Sequence, residues 1–366
     1  MEFKIKRNVL AKTLGNIVKI IPPKSTYTIL QNIIIEAKDS NLSIQATDLD
    51  IFIKKTIPAE IIEEGKVLIP GKKILEITRE ANIEDIIFKL KELKLLISAG
   101  NAQFNIPSLD YQEFPEVPKF PDKKWFDLSI GEIGEMVEST IFMVAKDMSR
   151  RPMNGVLVQL KENELRIVTT DGARLAMNKK EKKETAGELI IATKVFDLID
   201  YSNPEEQMEI FIEERVMGIK FLDTTVIARL IEGPYPNYEG VIPKEFTGNC
   251  TVEKEILDGA LKRVSLVASP HIKNVKFDFH GNNIILSASS SDIGEAKEEI
   301  PCVYDGEKLG IWFNANFVLE ILRHISAADV IFKLTSQSTA AVVKPKTDED
   351  MTYLLMPLRI DNWEEK

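Results

Sequence analysis

The sequence is poor in the residues that build disulfide frameworks and metal sites. Its 366 residues include only 2 cysteines, Cys250 and Cys302, and 3 histidines, His271, His280 and His324. Two cysteines far apart in the chain, with no CxxC pair, exclude a disulfide framework and argue against a structural zinc site. We therefore predict no metal, no cofactor and a reducing cytoplasm as the place of action.

Long hydrophobic runs are also missing. The longest unbroken apolar stretch is the five residues Ile141–Ala145, and the chain starts Met-Glu-Phe-Lys-Ile-Lys. A membrane-spanning helix needs about 20 apolar residues, and a signal peptide needs an apolar core behind its basic start. We expect neither a membrane span nor a secretion signal.

The motifs of common enzyme classes are absent as well. The sequence has no GxxxxGK[ST] or GxGxxG loop to hold phosphates, no GxSxG elbow and no HExxH pair. Carboxylate groups such as Asp348–Asp350 are typical of a solvated loop in an acid-rich chain. The sequence therefore favours a protein without catalysis, although a tuned carboxylate pair would still permit acid–base chemistry.

What remains is the composition of an ordinary globular protein. Lys and Arg number 47 and Asp and Glu 57, which gives a net charge of −10, and 44% of the residues are hydrophobic. At roughly 100–200 residues per domain, the length predicts two to four domains.

Three signals recur in the same order along the chain. The first is a helix-like segment, the second is an alternating strand that ends in small polar residues, and the third is a short apolar strand that runs into another helix. Their starts are spaced 119 to 124 residues apart, at Phe3, Phe126 and Cys250, at Leu42, Leu165 and Ile284, and at Val67, Leu189 and Leu309. This collinear spacing predicts three copies of a unit of about 120 residues, each with its own core.

Proline-rich joints mark the borders between the copies. They lie at Phe114–Pro121 and at Pro234–Pro243, so we predict domains at residues 1–122, 123–246 and 247–366. Most of the sequence outside the helical segments alternates with a period of two and is interrupted by Asn, Asp and Gly. The predicted fold is α+β, with two helices packed on antiparallel sheet in each copy.

Two patterns predict the first helix of a copy. In the first copy, one face of the helix is apolar, and its members are Leu10, Leu14, Ile17, Val18 and Ile21. In the second copy, Ser129 and Glu132 have the spacing of a capping box. The apolar residues that follow this box are Ile133, Met136, Val137 and Val144.

Charge is distributed unevenly along the chain. No acidic residue occurs between Glu2 and Glu36, and Lys12 and Lys19 lie opposite the apolar stripe of the first helix. Such a face can lie along phosphates without reading bases, although a single basic helix face is more often simply solvated. Comparable cations in all three copies favour a shared surface for a polyanion. The candidates are Arg7, Lys12, Lys19, Lys24, Lys146, Arg150, Arg151, Lys262, Arg263 and Lys273.

A series of short motifs runs through essentially the whole chain. They are ILQN at Ile29–Asn32, ATDLD at Ala46–Asp50, IPGKKILEI at Ile69–Ile77, LDYQEFP at Leu109–Pro115, TTDGARLA at Thr169–Ala176, GPYPNY at Gly233–Tyr238 and LLMPLRI at Leu354–Ile360. In number, order and spacing they closely resemble the bacterial sliding clamps, the beta subunits of the replicative DNA polymerase. The resemblance implies three DNA-clamp domains per chain and two chains closed head to tail into a ring around duplex DNA.

The resemblance also implies a function without catalysis. A ring around duplex DNA holds the replicative polymerase to its template by topology, so it needs neither base readout nor bond-making groups. The candidate cations would line the ring and make weak, sequence-independent phosphate contacts. The implied partners are double-stranded DNA, the polymerase catalytic subunit, the clamp loader, other replication and repair proteins, and a second copy of the chain.

Partner proteins of this family dock through a short apolar peptide in a pocket between the second and third domains. The matching positions are Arg150, Met153, Thr170, Gly172, Ala173, Arg174, Leu175, Pro236, Gly240, Val241, Leu354, Leu355, Met356, Pro357, Leu358 and Arg359. Without the family match, Leu354–Leu358 would favour a plain core strand. The chain departs from the family pattern at Ala173, where a bulkier residue, often His, is common, and in its tail beyond Ile360. The smaller Ala173 predicts a more open pocket wall.

Ring closure in this family joins the first domain of one chain to the third domain of the other. The matching positions are Phe104 and Ile106 on one side and Leu266 and Val267 on the other. Two heterologous contacts of this kind close a ring if the rotation between chains is right. Alternation alone would equally suit an internal strand face at Phe104–Ile106.

Two other functions stay open on the residues themselves. One is a three-domain carbohydrate- or nucleotide-processing enzyme that uses acid pairs, and the other is a monomeric module that binds an acidic partner. Triplication disfavours the enzyme, because an active site usually takes different residues from different domains. A dimer of twice 41.4 kDa in solution would favour the ring, and a stable monomer would favour the other two functions.

Overall fold

The computed structural model describes residues 1–23, 27–270 and 272–359. Within these ranges the chain forms 26 strands and six α-helices, and the strands pair antiparallel. The α+β class predicted from the sequence is therefore confirmed. None of the helices in these ranges has the length and apolar character needed to cross a bilayer.

The first copy begins with a strand and a helix, continues through a series of strands, and then adds a second helix and three more strands. Its elements are β1 (Glu2–Lys6), α1 (Arg7–Ile17), β2 (Asn32–Lys38), β3 (Asn41–Thr47), β4 (Ile51–Pro58), β5 (Glu60–Glu63), β6 (Gly65–Pro70), α2 (Gly71–Glu80), β7 (Asp85–Lys91), β8 (Lys94–Ala99) and β9 (Ala102–Pro107).

The second copy follows the same order. Its elements are β10 (Lys124–Ser129), α3 (Ile130–Glu138), β11 (Gly155–Lys161), β12 (Glu164–Thr170), β13 (Arg174–Glu181), β14 (Gly187–Ala192), α4 (Thr193–Asp197), β15 (Gln207–Glu213), β16 (Val216–Phe221) and β17 (Thr224–Arg229).

The third copy repeats the order again. Its elements are β18 (Gly248–Glu253), α5 (Lys254–Val264), β19 (Asn274–His280), β20 (Asn283–Ser290), β21 (Gly294–Pro301), β22 (Val303–Tyr304), β23 (Leu309–Asn314), α6 (Ala315–Arg323), β24 (Asp329–Leu334), β25 (Ala341–Pro345) and β26 (Met351–Leu355). Apart from the short strands β5 and β22, the three copies contain the same elements in the same order.

Each copy opens with a strand at the point where the sequence predicts a helix-like segment. Phe3 lies in β1, Phe126 in β10 and Cys250 in β18, and the helices begin only afterwards. In β1, the side chains of Phe3 and Ile5 are buried while their neighbours are not, which is the period of a strand. The helical prediction is therefore wrong for these first residues of each copy.

The helical prediction is confirmed immediately downstream. Leu10, Leu14 and Ile17 are buried on one face of α1, as their spacing predicts. The helix ends at Ile17 rather than continuing to Ile21. Ile21 precedes Pro22, and a residue before proline is disfavoured in the helical conformation.

The capping box at the start of α3 is confirmed. The Ser129 hydroxyl accepts a hydrogen bond from the Glu132 backbone N–H at 3.2 Å, and the Glu132 carboxylate accepts one from the Ser129 N–H at 3.1 Å. These reciprocal bonds satisfy two backbone donors that the first turn leaves unpaired. Val144 lies beyond the end of α3 at Glu138, so its place on the predicted helix face is wrong.

Contacts divide the described chain into two compact units. The first contains Met1–Gly134 with Ile191–Leu230, and the second contains Glu135–Ile190 with the described residues from Ile231 onward. The first unit has a five-stranded sheet, β5-β1-β7-β8-β9, and an eight-stranded sheet, β10-β15-β16-β17-β4-β3-β2-β6. The second has a nine-stranded sheet, β14-β11-β12-β13-β26-β25-β24-β18-β22, and a four-stranded sheet, β21-β20-β19-β23. These units do not test the domain boundaries predicted near residues 122 and 246, which stay predictions.

Backbone pairing crosses the borders between neighbouring copies. In the first unit, β17, the last strand of the second copy, pairs with β4, the third strand after α1. In the second unit, β26, the last strand of the third copy, pairs with β13, the third strand after α3. β9, the last strand of the first copy, and β21, the third strand after α5, have no such partner. Within the described residues each ends its sheet, β9 beside β8 and β21 beside β20.

Candidate functional site

Two exposed lysines, Lys12 on α1 and Lys19 just after it, contact the region around the end of α4. Lys12 Nζ lies 3.0 Å from Asp200 Oδ2 and donates a hydrogen bond to Ser202 Oγ at 3.1 Å. Lys19 Nζ donates to the carbonyl oxygen of Asp197 at 2.8 Å. Only Lys12 lies on the helix, because α1 ends at Ile17, so the predicted place of Lys19 on the helix face is wrong. Both lysines already have partners within the chain.

Arg7 and Lys24 are the other two candidate cations of the first copy. Arg7 is half-buried at the start of α1, and its Nη1 donates a long hydrogen bond of 3.4 Å to the Arg79 carbonyl oxygen. Lys24 lies outside the described residues.

In the third copy, the candidate cations cluster around the last turn of α5. Lys262 pairs with Asp258 one turn earlier. Arg263 forms a bidentate pair with Glu298 on β21, with Nε 3.0 Å from Oε2, and this guanidinium lowers the pKa of the Glu298 carboxyl. Lys273 donates to the Ser265 carbonyl oxygen at 3.3 Å.

The candidate cations of the second copy lie on the segment that follows α3. Lys146, Arg150 and Arg151 are all exposed. Arg150 donates a 3.4 Å hydrogen bond to the Asp171 carbonyl oxygen. Within the described ranges, Lys146 and Arg151 form no ion pair, so their charges are open to an anionic ligand.

The floor of the predicted peptide groove is an apolar cluster on paired strands. β13 and β26 place Leu175 directly opposite Leu354, and both side chains are buried. The cluster around them also contains Leu157, Val168, Ile190, Tyr238, Ala340 and Val342. This surface has the apolar character that peptide recognition needs.

The rim of the groove carries two exposed apolar side chains. Met356 is 37% exposed and Val241 is 43% exposed, and the Met356 N–H donates to the Ala173 carbonyl oxygen at 3.0 Å. Pro236 and Gly240 are also exposed in the same loop as Val241, whereas Met153 is half-buried. Exposed apolar groups beside a buried apolar floor are suited to anchoring a short apolar peptide.

Other members of the predicted groove are not open to a ligand. Leu355 has no exposed surface and packs in the third copy's core, on the opposite face of β26 from Leu354. Leu355 is therefore a residue of a core strand, as the alternative interpretation of Leu354–Leu358 predicts. Pro357 and Leu358 are half-buried, Arg359 is exposed, and Ile360 with the tail lies outside the described residues.

A tight turn holds Thr170 and Gly172, two members of the predicted groove. Thr170 Oγ1 donates to the Arg174 carbonyl oxygen at 2.7 Å and accepts from the Gly172 N–H at 3.1 Å. Gly172 has a φ of +90°, and a Cβ there would lie 2.8 Å from the Arg150 guanidinium. The positive φ favours glycine at this position, whereas the exposed Arg150 side chain could move away from a Cβ.

Arg174 is a buried cation at the edge of the groove. Its Nε lies 3.0 Å from Asp171 Oδ2 and its Nη1 lies 2.6 Å from Glu320 Oε2. The guanidinium also stacks over the Phe317 ring, 4.4 Å from its centroid. Arg174 therefore links β13 to α6, a structural role that the sequence did not predict.

Of the four residues predicted to close a ring, two are exposed and two are half-buried. Phe104 is 36% exposed and Ile106 is half-buried, both on β9. Leu266 follows the end of α5 and is 72% exposed, and Val267 packs partly against the third copy's core.

The described residues contain no group of three or more His, Cys, Asp or Glu side chains arranged to hold a metal ion. Cys250 and Cys302 are free and buried. Burial raises the pKa of the Cys250 thiol, which keeps it in its unreactive protonated form.

Three family models match successive parts of the chain. They describe the N-terminal, central and C-terminal domains of the DNA polymerase III beta subunit, and they match residues 1–118, 127–237 and 239–359. The chain belongs to the DNA polymerase III beta subunit family. The resemblance seen in the short motifs and the three-domain clamp fold are thereby confirmed, and the protein is a replication sliding clamp.

Individual relatives agree with this membership over almost the whole chain. The beta sliding clamp of Staphylococcus aureus is 29% identical, over 98% of this chain and 99% of its own. That of Chlamydia muridarum is 28% identical over the same shares. The crystal structure of the DNA polymerase III beta subunit of Thermotoga maritima, 29% identical, superposes with a TM-score of 0.92 and covers 98% of this chain and 100% of that one. The beta sliding clamp of C. crescentus, 27% identical, gives 0.91 over the same shares.

In this beta subunit, the loop that carries Val241 is held by groups that the sequence did not single out. Glu239 pairs with Lys161 at 2.8 Å and with Arg166 at 2.7 Å, and Tyr238 donates to Gln159 Oε1 at 2.7 Å. Lys161 is the leading cause of the lowered pKa of Glu239. Gln159, Lys161 and Arg166 lie at polar positions of the alternating strands β11 and β12, a pattern that any solvated strand face shares, so no sequence signal identifies them.

We expect Arg174→Ala to lower the free energy of unfolding by about 2–3 kcal/mol, because it leaves Asp171 and Glu320 without their shared cation. The loss is smaller than for a fully buried pair because Glu320 is partly exposed. Urea denaturation measures it, with the exposed Arg151→Ala as the control, expected to change stability by less than about 0.5 kcal/mol. Equal effects of the two substitutions would contradict the structural role of Arg174.

Proposed function

We propose that this sliding clamp works as a ring of two chains closed head to tail around double-stranded DNA. The ring tethers the catalytic subunit of the replicative DNA polymerase by topology and performs no catalytic step itself. A clamp loader places it on DNA, and other replication and repair proteins use the same docking groove as the polymerase.

The pairing rule at the copy borders is the observation that carries this proposal. Each border joins the last strand of one copy to the third strand after the first helix of the preceding copy. β9 and β21 are the two strands in these positions without such a partner. Pairing β9 of each chain with β21 of the other extends the rule to a third kind of joint, and two such joints close a ring.

The side chains beside the two edges support the same joint. Leu266 is exposed next to α5, the helix that packs against β21. A cleft of about 420 Å³ lies beside β9, and Ile77, Ala99 and Phe104 contribute to its lining. An exposed leucine near one edge could pack against the apolar part of the cleft beside the other edge, whose lining also includes the polar residues Glu80, Asn82 and Asn101.

The exposed cations suit weak contacts with phosphate. They are spread over helices and loops of all three copies, and no base-reading motif occurs in the sequence. Phosphate contacts fix the position of a protein on DNA without selecting a sequence. We therefore assign Arg7, Lys12, Lys19, Lys24, Lys146, Arg150, Arg151, Lys262, Arg263 and Lys273 to a DNA-facing surface that tolerates sliding.

Retention on DNA should depend on topology. After loading by a clamp loader and ATP, the protein should stay on nicked circular DNA at salt concentrations that remove ordinary phosphate binders, because a closed ring cannot dissociate without opening. On linear DNA it should run off the ends. Gel filtration of labelled protein with each DNA measures this, and equal retention on both would overturn the encirclement proposal.

Leu266→Lys should convert the dimer to folded monomers. The substitution places an ammonium group against Phe104 and Ile106 of the second chain, where an unpaired charge costs several kcal/mol. Sedimentation measures the mass against the 41.4 kDa of one chain. Val303→Lys is the matched control, since Val303 is similarly exposed at 69% but lies on β22. If the mutant stays dimeric, or if the wild-type protein is a stable monomer, the proposed edge is wrong.

Met356→Ala should separate peptide docking from ring formation. Truncating one apolar anchor weakens binding of a short peptide by about 1–3 kcal/mol, roughly five- to a hundredfold. Titration with an apolar peptide from the polymerase measures this, and Ile62→Ala, an exposed apolar residue of β5, is the control. Unchanged affinity would refute the groove assignment, and loss of the dimer would show that Met356 supports the core.

A further inference from the structure

Three of the proposed DNA-facing cations share one arrangement. Lys12 pairs with Asp200, Lys262 with Asp258 and Arg263 with Glu298. In each pair the cation is the exposed partner: the side chains are 58%, 55% and 63% exposed, against 13%, 18% and 28% for the carboxylates. The acid is therefore set into the surface, and its cation reaches into the solvent from which a phosphate would approach.

Asp200 is fixed by the protein independently of Lys12. Its Oδ1 accepts hydrogen bonds from the Ser202 hydroxyl at 2.6 Å and from the Ser202 N–H at 3.2 Å. Burial opposes its ionisation, but the bonds from Ser202 and Lys12 outweigh burial and hold the pKa of Asp200 at about 2. The carboxylate is thus a permanent negative charge beside Lys12.

The two acids of the third copy are also fixed by the fold. Asp258 lies on α5 one turn before Lys262, and Glu298 lies on β21, where it binds Arg263 through both carboxylate oxygens. The Arg263 guanidinium binds the planar carboxylate of Glu298 in a bidentate arrangement, and it could bind a phosphate in the same way.

We propose that Asp200, Asp258 and Glu298 compete with DNA phosphates for Lys12, Lys262 and Arg263, and thereby keep the grip of the clamp weak enough for sliding. The inference rests on the proposed DNA-facing role of these cations. A cation that turns toward a phosphate weakens the bond to its own carboxylate, which subtracts up to the strength of an exposed ion pair from the contact. Each such pair would therefore lower the affinity for DNA by about 1.5- to 5-fold.

The same competition predicts an unusual salt dependence. A free lysine that neutralises a phosphate displaces a counterion from DNA, which contributes about −0.9 to the slope of log affinity against log salt. A lysine taken from a carboxylate leaves that carboxylate to collect a cation from solution. The counterion gained cancels the one released, so such contacts contribute little to the slope.

The test compares two double variants of the full chain that change the net charge equally. Asp200→Asn with Asp258→Asn removes two competitors, while Glu205→Gln with Glu255→Gln removes two exposed carboxylates that contact none of the candidate cations. Glu298 is left unchanged because it lies on β21, the proposed ring edge. Fluorescence anisotropy with a short labelled duplex measures affinity over a range of salt, and sedimentation and thermal unfolding check that each variant is folded and dimeric.

The Asp200→Asn, Asp258→Asn variant should bind the duplex roughly two- to twentyfold more tightly than wild type at low salt, with a slope steeper by about one to two. The control variant should change affinity less than twofold. If the two variants behave alike, the competition proposal fails.

A third double variant, Lys12→Ala with Lys262→Ala, separates this failure from failure of the proposed DNA-facing surface. If it weakens binding while removal of the acids changes nothing, the cations face DNA but have no internal competitors. If it leaves binding unchanged, the DNA-facing assignment of these two lysines is wrong, and the competition proposal falls with it.

Discussion

An exposed strand edge with unpaired backbone groups is the constraint on which most of this structure depends. Each copy could bury its apolar face alone, yet its sheets end in strands that still offer N–H and C=O groups to a neighbour. Pairing of β17 with β4 and of β26 with β13 satisfies four of these edges within one chain. Sheet continuity also explains why the compact units combine parts of two copies. Among the strands in these two positions, β9 and β21 are left without such a partner, and in the proposed ring a second chain supplies it.

Several charged side chains are also paired within the chain. A chain with a net charge of −10 would repel DNA if its charges were evenly mixed, so the placement of the cations matters more than their number. Several of them extend from the surface above a carboxylate that is more buried than they are. Such pairs contribute little to stability, and in the proposed competition they limit how strongly a phosphate can be held.

Polar contacts hold the residues around the proposed peptide groove in place. Arg174 joins β13 to α6 through two carboxylates and an aromatic ring, and the Glu239 network holds the loop that carries Val241. Only a few side chains, among them Met356 and Val241, are left exposed above the buried pair Leu175 and Leu354. If the proposed groove binds a peptide, residues fixed in this way do not have to order themselves on binding, which favours affinity.

The sequence by itself determined the triplication, the α+β class, the apolar stripe of α1 and the capping box at Ser129, because all of these depend on neighbours within one or two turns or on similarity between copies. It failed at Phe3, Phe126 and Cys250, where a short strand precedes each helix and is stabilised by partners distant in sequence. Which face of β26 meets the groove, the burial of Arg174, and the pairing of Lys12 with Asp200 were decided only by tertiary structure. Each requires residues more than a hundred positions apart to meet, and local periodicity contains no information about that meeting.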